Sequence, residues 1–185
     1  MKKYHIIWLI VLASCGTQPQ ESKQVTSNIA LQKPVTDQKP NTDSLVVDTS
    51  AIALLPPNDL FPFEGAKKAS LNEQELKLIE SILFQAVYAY NVEREKQFAQ
   101  YQTKYPDDAL DKQQFLINLT QYKRQYVAVI NTQGQKEVWV NCFCSADFDW
   151  RQEIVTVLDG GKCFFNLKIN LAQKQYYDFA VNGSA

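Results

Sequence analysis

Residues 122–144, YKRQYVAVINTQGQKEVWVNCFC, decide the fold class. Tyr122 to Ile130 and Gln135 to Cys144 are rich in β-branched and aromatic residues that recur with a period of two. Between them Asn131-Thr132-Gln133-Gly134 is a hairpin turn signal. The stretch therefore predicts two antiparallel strands. Toward the C-terminus the pattern repeats: Glu153 to Leu158 and Lys162 to Leu171 flank Asp159-Gly160-Gly161, and Gln175 to Val181 follows the polar turn 172–175. Five strands joined by short turns predict an antiparallel meander.

Toward the N-terminus the period changes. Leu76, Ile79, Leu83, Ala86, Val87 and Tyr90 fall three and four residues apart, one apolar face of an amphipathic helix over about 71–92. Ser70-Leu71-Asn72-Glu73 fits a capping box, in which the serine accepts from the Glu73 amide and Glu73 reaches back. Residues 93–103 extend that helix or form a short second one, and Tyr105-Pro106-Asp107-Asp108 breaks it. The expected class is α+β: one long N-terminal helix packed across an antiparallel sheet of about five strands. That outline is similar to cystatin-like or NTF2-like folds, a likeness of topology alone.

Strand parity sorts the two faces of the sheet. Val138, Val140, Cys142 and Cys144 share one face, and so do Cys163, Phe165, Leu167 and Ile169. These sets are apolar and should meet the helix. The opposite face carries Trp139, Asn141, Phe143, Phe164 and Asn166, with Lys168 and Asn170 beside them. Aromatics mixed with amides make that face the candidate binding surface, for a sugar, a peptide or a partner protein. The alternative is that the segment from Leu54 to Phe63, proline-rich but with several large apolar side chains, lies over it. That segment can also be read as a proline-rich recognition peptide.

The first fifteen residues carry an address. Lys2 and Lys3 precede the apolar run Ile6 to Leu12, which is shorter than the about 20 residues a membrane-spanning helix needs. The run ends in Leu12-Ala13-Ser14-Cys15, which resembles the lipobox of bacterial lipoproteins at all four positions. The resemblance implies cleavage before Cys15 and acylation of that cysteine, with membrane lipid as its partner. For a Gram-negative source this points to the outer membrane. More than one acyl chain gives a lasting anchor, because each buried CH₂ contributes about 0.8 kcal/mol. The expected organisation is a signal peptide over 1–14, a lipidated N-terminus and polar spacer over 15–53, and a single domain over 54–185. A coil of about 40 residues such as the spacer reaches roughly 35 Å. Asp43-Ser44-Leu45 within it resembles a bacterial O-glycosylation acceptor. Residues 122–144 together with DGGKCFFNLKINL (159–171) resemble small bacterial lipoproteins whose activity is uncharacterised, so no functional residue is carried over.

Composition narrows the chemistry. The formal charge is −1, and loss of Lys2 and Lys3 makes it −3, so no basic stripe invites nucleic acid. The sole histidine, His5, lies in the leader, which removes histidine-based nucleophilic catalysis. Cys142, Cys144 and Cys163 remain: three buried thiols, or one bridge from Cys142 or Cys144 to Cys163 if the strand order allows it. A simple five-strand meander keeps Cys144 and Cys163 apart. Three cysteines without histidine make a poor zinc set, and no cofactor or metal is expected. Beside a non-catalytic binding domain, one alternative is a small hydrolase with Asp147 and Asp149 as paired carboxylates, against their reading as turn residues beside a tucked-in Trp150. Another is a structural component of an envelope assembly.

Overall fold

A computed structural model describes residues 47–57, 63, 66–145 and 149–183. All of them fall within one unit of the chain, Leu31–Ala185; the other unit, Met1–Ala30, lies outside the described residues, as do the lipobox and the Asp43-Ser44-Leu45 pattern. Among the described residues the class is α+β, with one α-helix on a six-stranded sheet.

The elements are β1 (Ile52–Leu55), β2 (Lys67–Lys68), α1 (Glu73–Lys104), β3 (Lys123–Ile130), β4 (Lys136–Phe143), β5 (Phe164–Asn170) and β6 (Gln175–Val181). The sheet runs β1-β3-β4-β5-β6, with β2 on the remaining stretch of the β3 edge. Its centre is the expected hairpin. Val127 pairs with Trp139 and Tyr126 with Val140, and Asn131 closes the turn by accepting from the Gln133 and Gln135 amides. Gly134 sits at φ 78°, a left-handed conformation that only glycine adopts freely.

Three expectations need correction. The sheet is mixed, because β1 runs parallel to β3, Ile52 opposite Arg124 and Leu55 opposite Val127. The helix is not N-terminal, since β1 and β2 precede it, and a 3-10 turn at Thr49–Ala51 already belongs to the structure. A domain boundary at 53/54 therefore cuts through β1. Third, residues 153–158 form no strand, so β4 and β5 are direct neighbours, Phe143 opposite Phe164.

The helix cap lies two residues later than expected. Asn72, not Ser70, accepts from the Glu75 amide at 2.9 Å, and Glu75 accepts from the Asn72 amide at 2.9 Å. The cause is the sheet: the Ala69 amide still donates to Ala128 O, so the chain must leave β3 before a helix can begin. At the other end α1 runs on to Lys104, well past 92. Only its first half buries residues against the sheet, from Ile79 to Val87. The overhang is caught by the 110–121 segment. Asn91 brackets Ile117, accepting from its amide and donating to its carbonyl at 2.9 Å each, and Phe98 packs edge-on against Phe115.

Two cores result, one on each face of the sheet. Between sheet and helix lie Ile79, Leu83, Ala86, Val87, Tyr126, Val138, Val140, Cys142, Phe165, Leu167 and Ile169, as parity predicts. On the other face Ala53, Leu55, Val127, Val129, Trp139, Phe143, Trp150 and Val155 form a second cluster.

Candidate functional site

The second core settles what the aromatic-amide face does over most of its length. Trp139, Asn141 and Phe143 are buried, and Phe164 and Asn166 are half-buried. The first three are closed to solvent, while Phe164 and Asn166 keep part of their surface open. Half of the Leu54–Phe63 segment, residues 58–62, lies outside the described residues; among the described residues one cover stands out. It is the 149–158 loop, whose Trp150 packs edge-on against Phe143 and whose Val155 is buried beside it. Leu54 itself is 54% exposed, while Leu55 and Phe63 join the cluster.

The amides have a structural task. A loop laid over a sheet brings backbone N–H and C=O groups out of water, and each needs a partner. Gln125, wholly buried, donates to the carbonyls of Trp150 and Glu153 and accepts from the Val155 amide at 2.9 Å. Asn141 donates to Val155 O at 2.8 Å and to Gln125 Oε1 at 3.1 Å. Together they give residues 150–155 the backbone partners that a neighbouring strand would have supplied.

The cysteines divide in the same way. Cys144 and Cys163 form a disulfide with Cα atoms 5.0 Å apart, and the Cys144 amide donates to Cys163 O. With β4 and β5 adjacent, they are the pair immediately beyond Phe143 and Phe164. The bridge closes the base of the loop that covers the second core. Cys142 stays a free, fully buried thiol, and burial pushes its pKa far up, which leaves it no nucleophilic role. Asp147 lies outside the described residues. Asp149 is a turn residue: its side chain accepts from the Arg151 amide and its carbonyl from those of Gln152 and Glu153. Among the described residues no group of three or more Cys, His, Asp or Glu is placed to hold a metal.

A second polar cluster sits between helix and sheet. The buried Tyr126 hydroxyl donates to Glu80 Oε1, and Arg124 brings its Nε within 3.6 Å of the same oxygen. Arg124 also donates to Leu119 O at 3.1 Å. Burial first, then the Glu80 charge, holds the Tyr126 phenol well above its ordinary pKa. Arg124 Nε is buried without a hydrogen bond, held by the charge of Glu80 alone, and the cluster joins α1 to β3.

One part of the amide-bearing face remains open. At the end where the β3–β4 and β5–β6 turns meet, a hollow of about 470 Å³ is lined by Gln135, Glu137, Asn170, Gln173, Phe63 and Tyr177, with the 131–133 turn at its rim. Glu137 and Asn170 are cross-strand partners. Asn170 is buried and fixed, its Oδ1 accepting from the Gln173 amide at 3.0 Å and its Nδ2 donating to Gln135 Oε1 at 2.6 Å. Burial, the Glu137 charge and a hydrogen bond to Glu137 all raise the Tyr177 pKa, so its phenol stays protonated. Lys168 pairs with Asp178 at 3.0 Å, and its ammonium lies 5.6 Å from the ring centres of both Phe63 and Tyr177.

Read from the sequence, Asn170 and Lys168 fall on this face, while Gln135, Glu137, Gln173 and Tyr177 go unnamed. The available signal was the register: extending the two faces to the turns puts Glu137 opposite Asn170 between two amide-rich turns. Compared with protein-family models, with curated proteins and with solved structures, the chain finds no match.

Proposed function

We propose that this chain is a lipid-anchored envelope protein, held at an acylated Cys15, whose single domain binds a ligand or partner without catalysis. Binding takes place at the hollow between the β3–β4 and β5–β6 turns. The observation that carries the binding reading is the lining of that hollow. Its amides, carboxylate and phenol are fixed to one another before any ligand arrives, and this arrangement reduces the ordering cost of binding. Its volume lies in the range of small-ligand sites, about 300–1,000 Å³.

The lipobox resemblance at residues 12–15 supports the address, and the Cys144–Cys163 bridge supports it independently, because such bonds persist in oxidising compartments outside the cytosol. The polar residues from Gly16 to the start of the 3-10 turn serve as the spacer. The helix-on-sheet outline stays comparable with cystatin-like and NTF2-like folds, a likeness that transfers no functional residue. Fractionation of cells carrying Cys15→Ser tests the anchor. The variant is expected to leave the membrane fraction while keeping the near-UV circular dichroism of the folded domain; a variant that remains membrane-bound overturns the anchor.

A further inference from the structure

The hollow also speaks to the chemistry of its ligand. Building on the binding reading above, we propose that it takes a neutral saccharide, with sugar hydroxyls on Gln135, Glu137 and Asn170 and a sugar C–H face against the rings of Phe63 and Tyr177.

A pyranose presents two different surfaces, a rim of hydroxyls that both donate and accept, and a face of C–H groups. A site for it needs both hydrogen-bonding senses side by side, next to an aromatic plane. Amides supply donor and acceptor on one planar group, and a carboxylate accepts from adjacent hydroxyls. The hollow offers this combination: the Gln135 and Asn170 amides beside the Glu137 carboxylate, with Phe63 and Tyr177 as the apolar wall. The Lys168 ammonium lies 5.6 Å from the centres of both rings and ties them together.

Other ligand classes fit less well. An anion meets Glu137 and finds the nearby cation, Lys168, already paired with Asp178. An apolar ligand strips water from the amides without replacing their hydrogen bonds. A cation finds a single carboxylate, Glu137, among the lining residues, with no second acidic group beside it.

The test uses the full chain carrying Cys15→Ser, titrated by calorimetry and by ¹⁵N-labelled NMR with three probe sets. The first is neutral oligosaccharides ending in glucose, mannose, galactose or N-acetylglucosamine; the second is alkylamines; the third is a library of short peptides. The expected result is that at least one saccharide binds and perturbs the amides of Gln135, Glu137 and Asn170. Tyr177→Ala is expected to weaken that binding about tenfold and Glu137→Gln several-fold, a loss of one contact each. Both variants are at a partly open rim, and unchanged circular dichroism controls for folding. Saccharide binding that neither variant weakens overturns the proposal. Binding of amines or peptides at the same amides, with none of the saccharides, overturns the sugar assignment and leaves the hollow as a binding site. If no probe of any set binds there, both the sugar assignment and the binding reading fall, while the Cys15 anchor is tested separately by fractionation.

Discussion

Each face of the sheet carries a buried core, yet the two cores are built from different residues. Toward α1 the sheet offers Val138, Val140, Phe165, Leu167 and Ile169, with no amide among them. Toward the 149–158 loop it offers Trp139, Phe143 and Val127, but also the buried amides Gln125 and Asn141. The difference follows from what each cover brings. A helix satisfies its own backbone hydrogen bonds, so the surface beneath it need only be apolar. A loop does not, so the strands beneath it must supply donors and acceptors. Amides interleaved with aromatics on a strand face can therefore mark the seat of a loop as readily as a ligand site.

The comparison can be broken at either face. On the helix side, Leu167→Ala removes a fully buried side chain between α1 and the sheet. We expect a loss of about 4 kcal/mol in chemical denaturation, spread over the whole domain because nothing local can open to relieve the cavity. A loss confined to one segment in hydrogen exchange contradicts a continuous helix-side core.

The disulfide comes next. Cys144→Ser with Cys163→Ser frees the base of the covering loop, which spans a sequence separation of 19. The expected cost is about 3 kcal/mol. Limited proteolysis should then cut first within 149–158, with the β3–β4 hairpin still protected. Protection of the loop in the double variant means that the bridge does not hold it.

Gln125→Leu sharpens the point, since it keeps the volume and deletes the bonds to Trp150, Glu153 and Val155. The loop can lift and let water replace those bonds, so the expected loss is smaller, about 2 kcal/mol, and local. Its signature is faster exchange at the Val155 amide with that of Val140 unchanged. An equally large loss at both amides removes the distinction between the faces.

The smallest effect lies at the helix start. Burial opposes ionisation of Glu75, but Lys136 at 2.6 Å and the Asn72 amide outweigh it and hold its pKa below the ordinary 4.5. A carboxylate with a depressed folded pKa stabilises the fold above its unfolded value, and that contribution fades as pH falls through the folded one. Glu75→Gln should therefore lower stability at neutral pH and flatten its decline below pH 4.5. An unchanged acid limb in pH-dependent denaturation removes Glu75 from the account.

Much of this architecture was readable from residue spacing. The hairpin of 122–144, the strand Gln175–Val181 and the helix-facing stripe follow from period and parity, because each pairs with a regular partner. Residues 153–158 misled for a physical reason. Their alternation is that of an extended, half-buried chain, and a sequence does not distinguish backbone bonded to strands from backbone bonded to Gln125 and Asn141. The false strand then separated Cys144 from Cys163. The cap shifted because 70-SLNE and 72-NEQE both fit a capping box, and only the bond from Ala69 to β3 chooses between them. The parallel β1 had no signal of its own, being four residues ahead of two prolines. Of the hollow, Asn170 is legible in the sequence, while Glu137 and Tyr177 need the strand register.

Cys142 turns the domain into its own clock. With the neighbouring cysteines joined, it is the free thiol of the described residues, sealed under α1 and unreactive while the sheet and helix stay together. A thiol reagent therefore modifies it only during excursions that separate the two, and the rate of labelling counts those openings in an otherwise undisturbed population.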